Sequence, residues 1–364
     1  MSRFIPSKPT ALVLSGGGTR AAYQAGALKA LLPTFKNEQL EVNIIVGSSI
    51  GAVNGLVVGA CLGQGLDHAT DELITIWQAR NYRNTFAGHP SAAFFRAIKV
   101  AISQWISPGP KPTAGALFDP APLRTLIDER IQSNGGLHPD KRAACLTSVA
   151  VMTTLEGPER RPLLLLSTRD IPDPKTMEGV TFSVLYVPEL TASHGLASAA
   201  LPSVLPPVEI EMDKRRVNLV DGGISQNVPI DPATRLGAVN VVSIDISGRD
   251  WWLARAGKPE YTRPDWEVAA EEKTYCPTPM ASFVTRCKQP LGPLLKQAVG
   301  SSSKDFMRAV GPVWPLFALL KNKLGEDIAY EVMSYVALDP QYLTAVIEQG
   351  YKETVDRLAQ DGKE

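Results

Sequence analysis

The stretch Ile44-Ile45-Val46-Gly47-Ser48-Ser49-Ile50-Gly51-Ala52-Val53-Asn54-Gly55 runs from a β-branched apolar segment, through Gly-x-Ser-x-Gly, into a series of small residues. Such a sequence predicts a strand that turns sharply into a helix. The residue at the apex of that turn projects from the top of the sheet and has a strained backbone, so the positions two before and two after it must be small. Gly47 and Gly51 hold those positions around Ser49. The helix that follows would aim its uncovered N–H groups and partial positive charge at the serine. Ser49 is therefore a candidate nucleophile; the alternative is a tight turn that only needs glycine.

Around this element the chain alternates. Ala11–Leu14 reads as a buried strand, Ala21–Leu32 as a helix, Val42–Val46 as a second strand and Gly51–Leu62 as a second helix. Further strands are expected at Leu146–Met152, Leu163–Ser167, Arg216–Val220 and Val239–Ile246. Strand-helix alternation predicts an α/β class, three-layer α/β/α, with a central mostly parallel sheet. Residues 65–135 read as a helical insertion, interrupted by the run Ser107-Pro108-Gly109-Pro110-Lys111-Pro112. One domain is expected over residues 8–250. Residues 251–364 read as a mostly helical C-terminal extension, a candidate lid or membrane-contact region, with a mobile part from about 251 to 293.

Composition narrows the function. Lys plus Arg and Asp plus Glu each total 37 in 364 residues, and a balanced charge argues against a nucleic-acid partner. The first residues lack the apolar core of a secretory signal, and no apolar run reaches the ~18 residues of a membrane span. The expectation is a cytoplasmic protein, with peripheral membrane contact as an option. Cys61, Cys145, Cys276 and Cys287 are too scattered for a zinc site or a disulfide framework. No metal or cofactor is expected.

Ser15-Gly16-Gly17-Gly18-Thr19-Arg20 closes the first strand and opens the first helix, leaving backbone N–H groups uncovered on the sheet edge that carries Ser49. Gly16-x-Gly18-x-x-Ala21 also fits a dinucleotide fingerprint, but the second strand ends in Gly47 and Ser48 and not in the acid that motif needs. A base for Ser49 is less obvious. A Ser-acid-His hydrolase of this class carries its histidine late, whereas none follows His194. His194 remains one candidate. The other is Asp221 in Leu219-Val220-Asp221-Gly222-Gly223, where a carboxylate follows a strand and two glycines let the chain turn back toward the site. An Asp-Gly turn bonded to its own backbone is the ordinary alternative.

Taken together, these residues resemble the patatin-like phospholipases. In that family a glycine-rich loop with a following basic residue forms the oxyanion hole, which implies that role for Gly16, Gly17 and Gly18, supported by Arg20. Its Gly-x-Ser-x-Gly corresponds to Gly47–Gly51 and its Asp-Gly-Gly to Asp221, Gly222 and Gly223. The resemblance implies a Ser49–Asp221 dyad in which Asp221 accepts the proton, an acyl-enzyme intermediate, and a phospholipid or other acyl ester as substrate. The surrounding stretches RAAYQAGAL (20–28), ASAALPSVLPP (197–207) and Asn227-Val228-Pro229 also fit, over residues 10 to 246. Ser15, Ala21 and Ile50 depart from the pattern, and Ile50 narrows the space beside Ser49. Arg20 reads either as a brace for the loop, as a contact for a phosphate headgroup, or as a surface ion pair. A non-catalytic acyl binder and an esterase or acyltransferase for soluble esters or thioesters are the other function classes.

A lipid substrate also needs a route in. Ser91–Ile106 places Phe94, Phe95, Ile98, Ile102, Trp105 and Ile106 on one helical face, which suits core packing or a lid. Trp251-Trp252 and the patch around Trp314 have the same two readings.

Overall fold

The computed structural model describes residues 4–87, 116–177, 179–212, 214–246, 282–300 and 302–361. Ser91–Ile106, the Pro-rich run that follows it, Trp251-Trp252, His89 and Cys276 lie outside the described residues.

Among the described residues nine strands form one sheet: β1 (Thr10–Leu14), β2 (Val42–Ser48), β3 (Ser148–Leu155), β4 (Pro162–Thr168), β5 (Ser183–Tyr186), β6 (Val208–Met212), β7 (Arg215–Val220), β8 (Asn240–Asp245) and β9 (Phe283–Arg286). The main path runs β5-β4-β3-β2-β1-β8-β9. The pairs from β3 through β2 and β1 to β8 and β9 are parallel, and β4 pairs antiparallel with β3. The helices are α1 (Ala22–Asn37), α2 (Ile50–Cys61), α3 (Leu66–Gln78), α4 (Tyr82–Thr85), α5 (Ala121–Ser133), α6 (Ala192–Ser198), α7 (Ile230–Arg235), α8 (Gly292–Val299), α9 (Ser303–Val310), α10 (Trp314–Leu324), α11 (Glu326–Met333) and α12 (Pro340–Asp361).

The three layers follow from the period of two along each strand. Leu12, Leu14, Ile45, Val149, Val151, Leu163, Leu165, Val242 and Ile244 enter a core shared with α1, α2, α3 and α12. The alternating residues Ala11, Val13, Ile44, Val46, Ala150, Met152, Leu164, Leu166 and Val241 enter a second core on the opposite face, closed by Ile230 and Ala233 of α7. Strands buried on both faces read as continuous apolar runs, which is why the central ones were legible.

Beyond residue 281 the chain does not stand apart from the sheet. Phe283–Arg286, inside the range expected to be mobile, is an edge strand parallel to β8. Helix α12 lies against α1 at backbone-to-backbone range: a Cβ on Gly26 would come within 1.8 Å of the Ile347 carbonyl oxygen, and one on Gly350 within 2.2 Å of that of Tyr23. The expected boundary at 250 lies outside the described residues. The region is mostly helical, as expected, but α12 is a packed layer of the main body. No helix among the described residues is long and apolar enough to cross a membrane.

Candidate active site

β1 and β2 are parallel neighbours, Leu14 opposite Gly47, so the loops that follow them emerge on the same carboxyl edge of the sheet. There Ser49 stands between β2 and α2 with φ 52° and ψ −134°. A non-glycine residue in that region costs on the order of 1–3 kcal/mol, which the flanking packing must offset. That packing explains the glycines. A Cβ on Gly51 would lie 2.4 Å from the Ser15 carbonyl oxygen, and one on Gly47 2.4 Å from the Ala52 Cα. No side chain fits at either place, so the turn from β2 can be this tight only with glycine.

Topology brings Asp221 to Ser49. The edge of β3 that faces β2 is paired up to Met152, opposite Ser48, while β4 occupies the other edge. β3 continues past the end of β2, and β7 pairs antiparallel with the freed segment, Val220 opposite Thr154. β7 thus runs head-on toward the end of β2, and Asp221 follows directly. The Ser49 hydroxyl donates to Asp221 Oδ2 at 2.7 Å, and the Gly223 N–H donates to Asp221 Oδ1 at 2.7 Å. The Asp221 backbone is held as well: its N–H donates to the Ala200 carbonyl at 3.0 Å, and its carbonyl accepts from Thr154 Oγ1 at 2.8 Å. Gly222 passes so close to β3 that a Cβ would sit 2.0 Å from the Met152 carbonyl oxygen.

Ser49 and Asp221 are 8% and 6% exposed. Burial pushes the Asp221 carboxyl up to about 6, against the opposing pull of the bonds from Ser49 and Gly223. His194 is elsewhere in the network. Its Nδ1 is bonded to the Thr191 N–H and hydroxyl at the start of α6, and burial holds its pKa below the usual value. The structure therefore brings Ser49 together with Asp221 and leaves His194 as a helix cap. Two further acids, Asp231 and Asp245, are ion-paired, with Arg235 and Arg286 respectively.

The glycine loop packs on the serine: a Cβ on Gly16 would lie 2.6 Å from Ser49 Cβ. Gly16 does not offer its N–H to the site, because that group donates to Asn227, at 3.2 Å to the side-chain oxygen and 3.3 Å to the carbonyl. Gly17 and Gly18 are the loop's remaining candidate donors. Arg20 is not at the surface. It is 4% exposed, and its guanidinium donates to Glu331 Oε1 at 2.6 Å, to the Glu331 carbonyl at 2.8 Å and to Ser334 Oγ at 2.8 Å, with the Tyr335 ring 3.5 Å away. Of the three expected roles it takes the brace, and the residues it holds belong to the C-terminal region. Thr19 adds two bonds to the same segment, to the carbonyls of Ser334 and Tyr335 at 2.9 Å each.

Three site residues had no sequence signature of their own. Ser198 accepts the Ser49 N–H at 2.7 Å and donates to the Met152 carbonyl, fixing the apex of the turn. Asn227 ties the glycine loop to the turn after Asp221. Asn54 bonds Trp77 Nε1, Gln24 Oε1 and the Ala21 carbonyl, linking α2, α3 and the glycine loop in one buried network. Ser198 and Asn227 lie inside the stretches flanking Asp221, but only the fold shows what they touch.

Ser49 and Asp221 border a cavity of about 240 Å³. Its walls are apolar, among them Ile50, Val53, Val57, Leu73, Phe118 and Ile127. Among the described residues no group of His, Cys, Asp and Glu is placed to hold a metal ion.

The serine on the strand-to-helix turn is thus bonded to a buried carboxylate at the head of an apolar cavity. The chain belongs to the patatin-like phospholipase family, whose domain profile matches residues 12–234, more than half of its length. No curated protein matches it. Similar solved structures include VipD from Legionella pneumophila (13% identity, TM-score 0.36, covering 98% of this chain and 67% of VipD). The type III effector ExoU shows 12% identity and a TM-score of 0.38, with 99% and 54% covered. Human GIVD cytosolic phospholipase A2 shows 11% identity and a TM-score of 0.40, with 96% and 63% covered. The chain thus spans 54% to 67% of the lengths of these three structures.

Proposed function

We propose that this protein hydrolyses carboxylic esters of lipids through Ser49 and Asp221. The observation that carries the reading is the 2.7 Å bond from the Ser49 hydroxyl to Asp221 at the head of an apolar cavity. Asp221 takes the hydroxyl proton as Ser49 Oγ attacks the ester carbonyl. The tetrahedral oxyanion is stabilised by the N–H groups of Gly17 and Gly18, with Gly16 and Asn227 holding the loop in place. Asp221 returns the proton to the leaving alcohol, and water then releases the acid from the acyl-Ser49 intermediate by the same route in reverse. A carboxyl at about 6 is still ionised near neutral pH, yet is a stronger base than an exposed aspartate. No metal or cofactor takes part in this sequence.

The apolar walls favour an acyl chain, and the exposed Trp314, Leu316 and Leu319 of α10 support approach to aggregated lipid. The test is release of acid from a ladder of p-nitrophenyl esters and from a lysophospholipid in mixed micelles, with wild type and Ser49→Ala. Each CH2 that fits the cavity should raise kcat/KM roughly fourfold, from about 0.8 kcal/mol of burial. Release that survives Ser49→Ala overturns the mechanism. A wild type that binds the lipid without release makes it an acyl binder, and a flat chain-length profile points to soluble esters.

A further inference from the structure

We propose that Arg80 is an anion-binding residue of the acyl cavity, holding a phosphate or carboxylate carried close to the ester that Ser49 opens. This rests on the hydrolase reading above and specifies its substrate as an anionic amphiphile. Arg80 lines the cavity and is 4% exposed, yet among the described residues its guanidinium makes one hydrogen bond, from Nη1 to the Asn84 carbonyl at a long 3.4 Å. Among the described residues no carboxylate is ion-paired with it. Glu129 and Arg130 border the hollow on its other side, but Arg130 is taken by Glu72 at 3.0 Å and Glu129 does not reach Arg80. Burial alone acts on its pKa, lowering it to about 10, so the group remains cationic at neutral pH. A buried charge without a counterion is costly, and an arginine is kept in such a place when an anion completes it.

Its position favours an anion near the reacting ester and not at the tail of the acyl chain. α2 and α3 are joined by the short link 62–65 and so run antiparallel. Trp77 on α3 bonds Asn54 on α2, and Arg80 lies three residues beyond Trp77, on the side from which α2 starts at Ser49. Val57 and Leu73 lie on the opposite side of that bond, where the cavity is wholly apolar. Arg80 and Asp221 are the cavity's charged groups among the described residues. An amphiphile with its chain along Val57 and Leu73 would present its ester to Ser49 and its anion to Arg80.

The experiment is calorimetric titration of the full chain with dodecyl phosphate, laurate and dodecanol, each below its micelle concentration, for wild type, Arg80→Met and Arg80→Lys. The wild type should bind an anionic ligand about tenfold or more tightly than dodecanol, Arg80→Met should lose that preference, and Arg80→Lys should keep part of it. Tighter binding of dodecyl phosphate than laurate assigns a phosphate headgroup, and the reverse assigns a carboxylate. Equal binding of all three by the wild type, or a preference that persists in Arg80→Met, overturns the proposal. Should Arg80→Met fail to fold, the wild-type comparison and Arg80→Lys still decide. Ser49 reactivity toward an active-site probe is read separately, so a failed hydrolase mechanism and a failed anion site give different results.

Discussion

The two halves of the glycine loop's surroundings differ in kind. On one side, β2, Ser49, α2 and Asp221 are positioned by backbone geometry: a strained φ at Ser49, close approaches at Gly47, Gly51 and Gly222, and a strand that runs head-on into another's end. On the other side, the C-terminal layer braces the loop through side chains, with Arg20 and Thr19 held by Glu331, Ser334 and Tyr335. Backbone geometry restricts which residues can stand at a place, whereas a side-chain brace only needs compatible partners distant in the chain. The first side should therefore fail in chemistry when altered, and the second in stability first.

The largest effect is expected from Asp221→Asn. It removes the proton acceptor and should lower kcat about 10⁴-fold. In the wild type kcat/KM should rise with pH through about 6 and level off above it, the limb of a carboxyl that must be ionised. That limb should be absent from the residual activity of the variant. Stability should move the opposite way. The folded carboxyl has its pKa above the unfolded value of 3.8, so the native state binds the extra proton between about 4 and 6, and wild-type stability falls as pH rises through that window. The cost of the buried charge at pH 8 is on the order of 3 kcal/mol, so Asp221→Asn should melt above wild type at pH 8, with the gap closing toward pH 4. A variant that loses both activity and stability at pH 8 would break the contrast.

Next in size is Glu331→Ala, which leaves Arg20 as an unpaired charge in a buried site. It should cost about 3–5 kcal/mol in chemical denaturation, with activity falling only as far as the glycine loop loosens. The double change Arg20→Met with Glu331→Leu should recover most of that stability, since apolar groups of similar size replace the pair. If Glu331→Ala abolished activity while leaving the melting point unchanged, the brace would belong with the chemistry.

A smaller effect is expected from Ser198→Ala. It leaves the Ser49 N–H without its buried acceptor, for about 1–3 kcal/mol of stability, and relaxes the turn that presents the hydroxyl. A five- to tenfold fall in kcat with KM little changed is the expected split, on the order of 1 kcal/mol in the transition state.

The same contrast explains what could be read in advance. Ser49, Asp221 and the glycine loop were legible because Gly-x-Ser-x-Gly, Asp-Gly-Gly and a glycine run after strands are residue choices that backbone geometry forces. The central strands were legible as apolar runs buried on both faces. β6, with Glu209 and Glu211 alternating outward, and β9, four residues after a Pro-rich charged stretch, offered no such run. Glu331, Ser198 and Asn54 are single polar residues among apolar ones, and their partners lie far away in sequence. Arg20 follows the glycine run, but its ion pair spans 311 positions and no local pattern announces it.

The central claim is that Ser49 is the nucleophile and Asp221 its base. The most direct measurement is labelling with a fluorophosphonate probe, the adduct located by peptide mass spectrometry in wild type, Ser49→Ala and Asp221→Asn. The account predicts an adduct on Ser49, absent from Ser49→Ala and formed far more slowly in Asp221→Asn. Labelling of Ser49 at an undiminished rate in Asp221→Asn, or no labelling of Ser49 in the wild type, would contradict it.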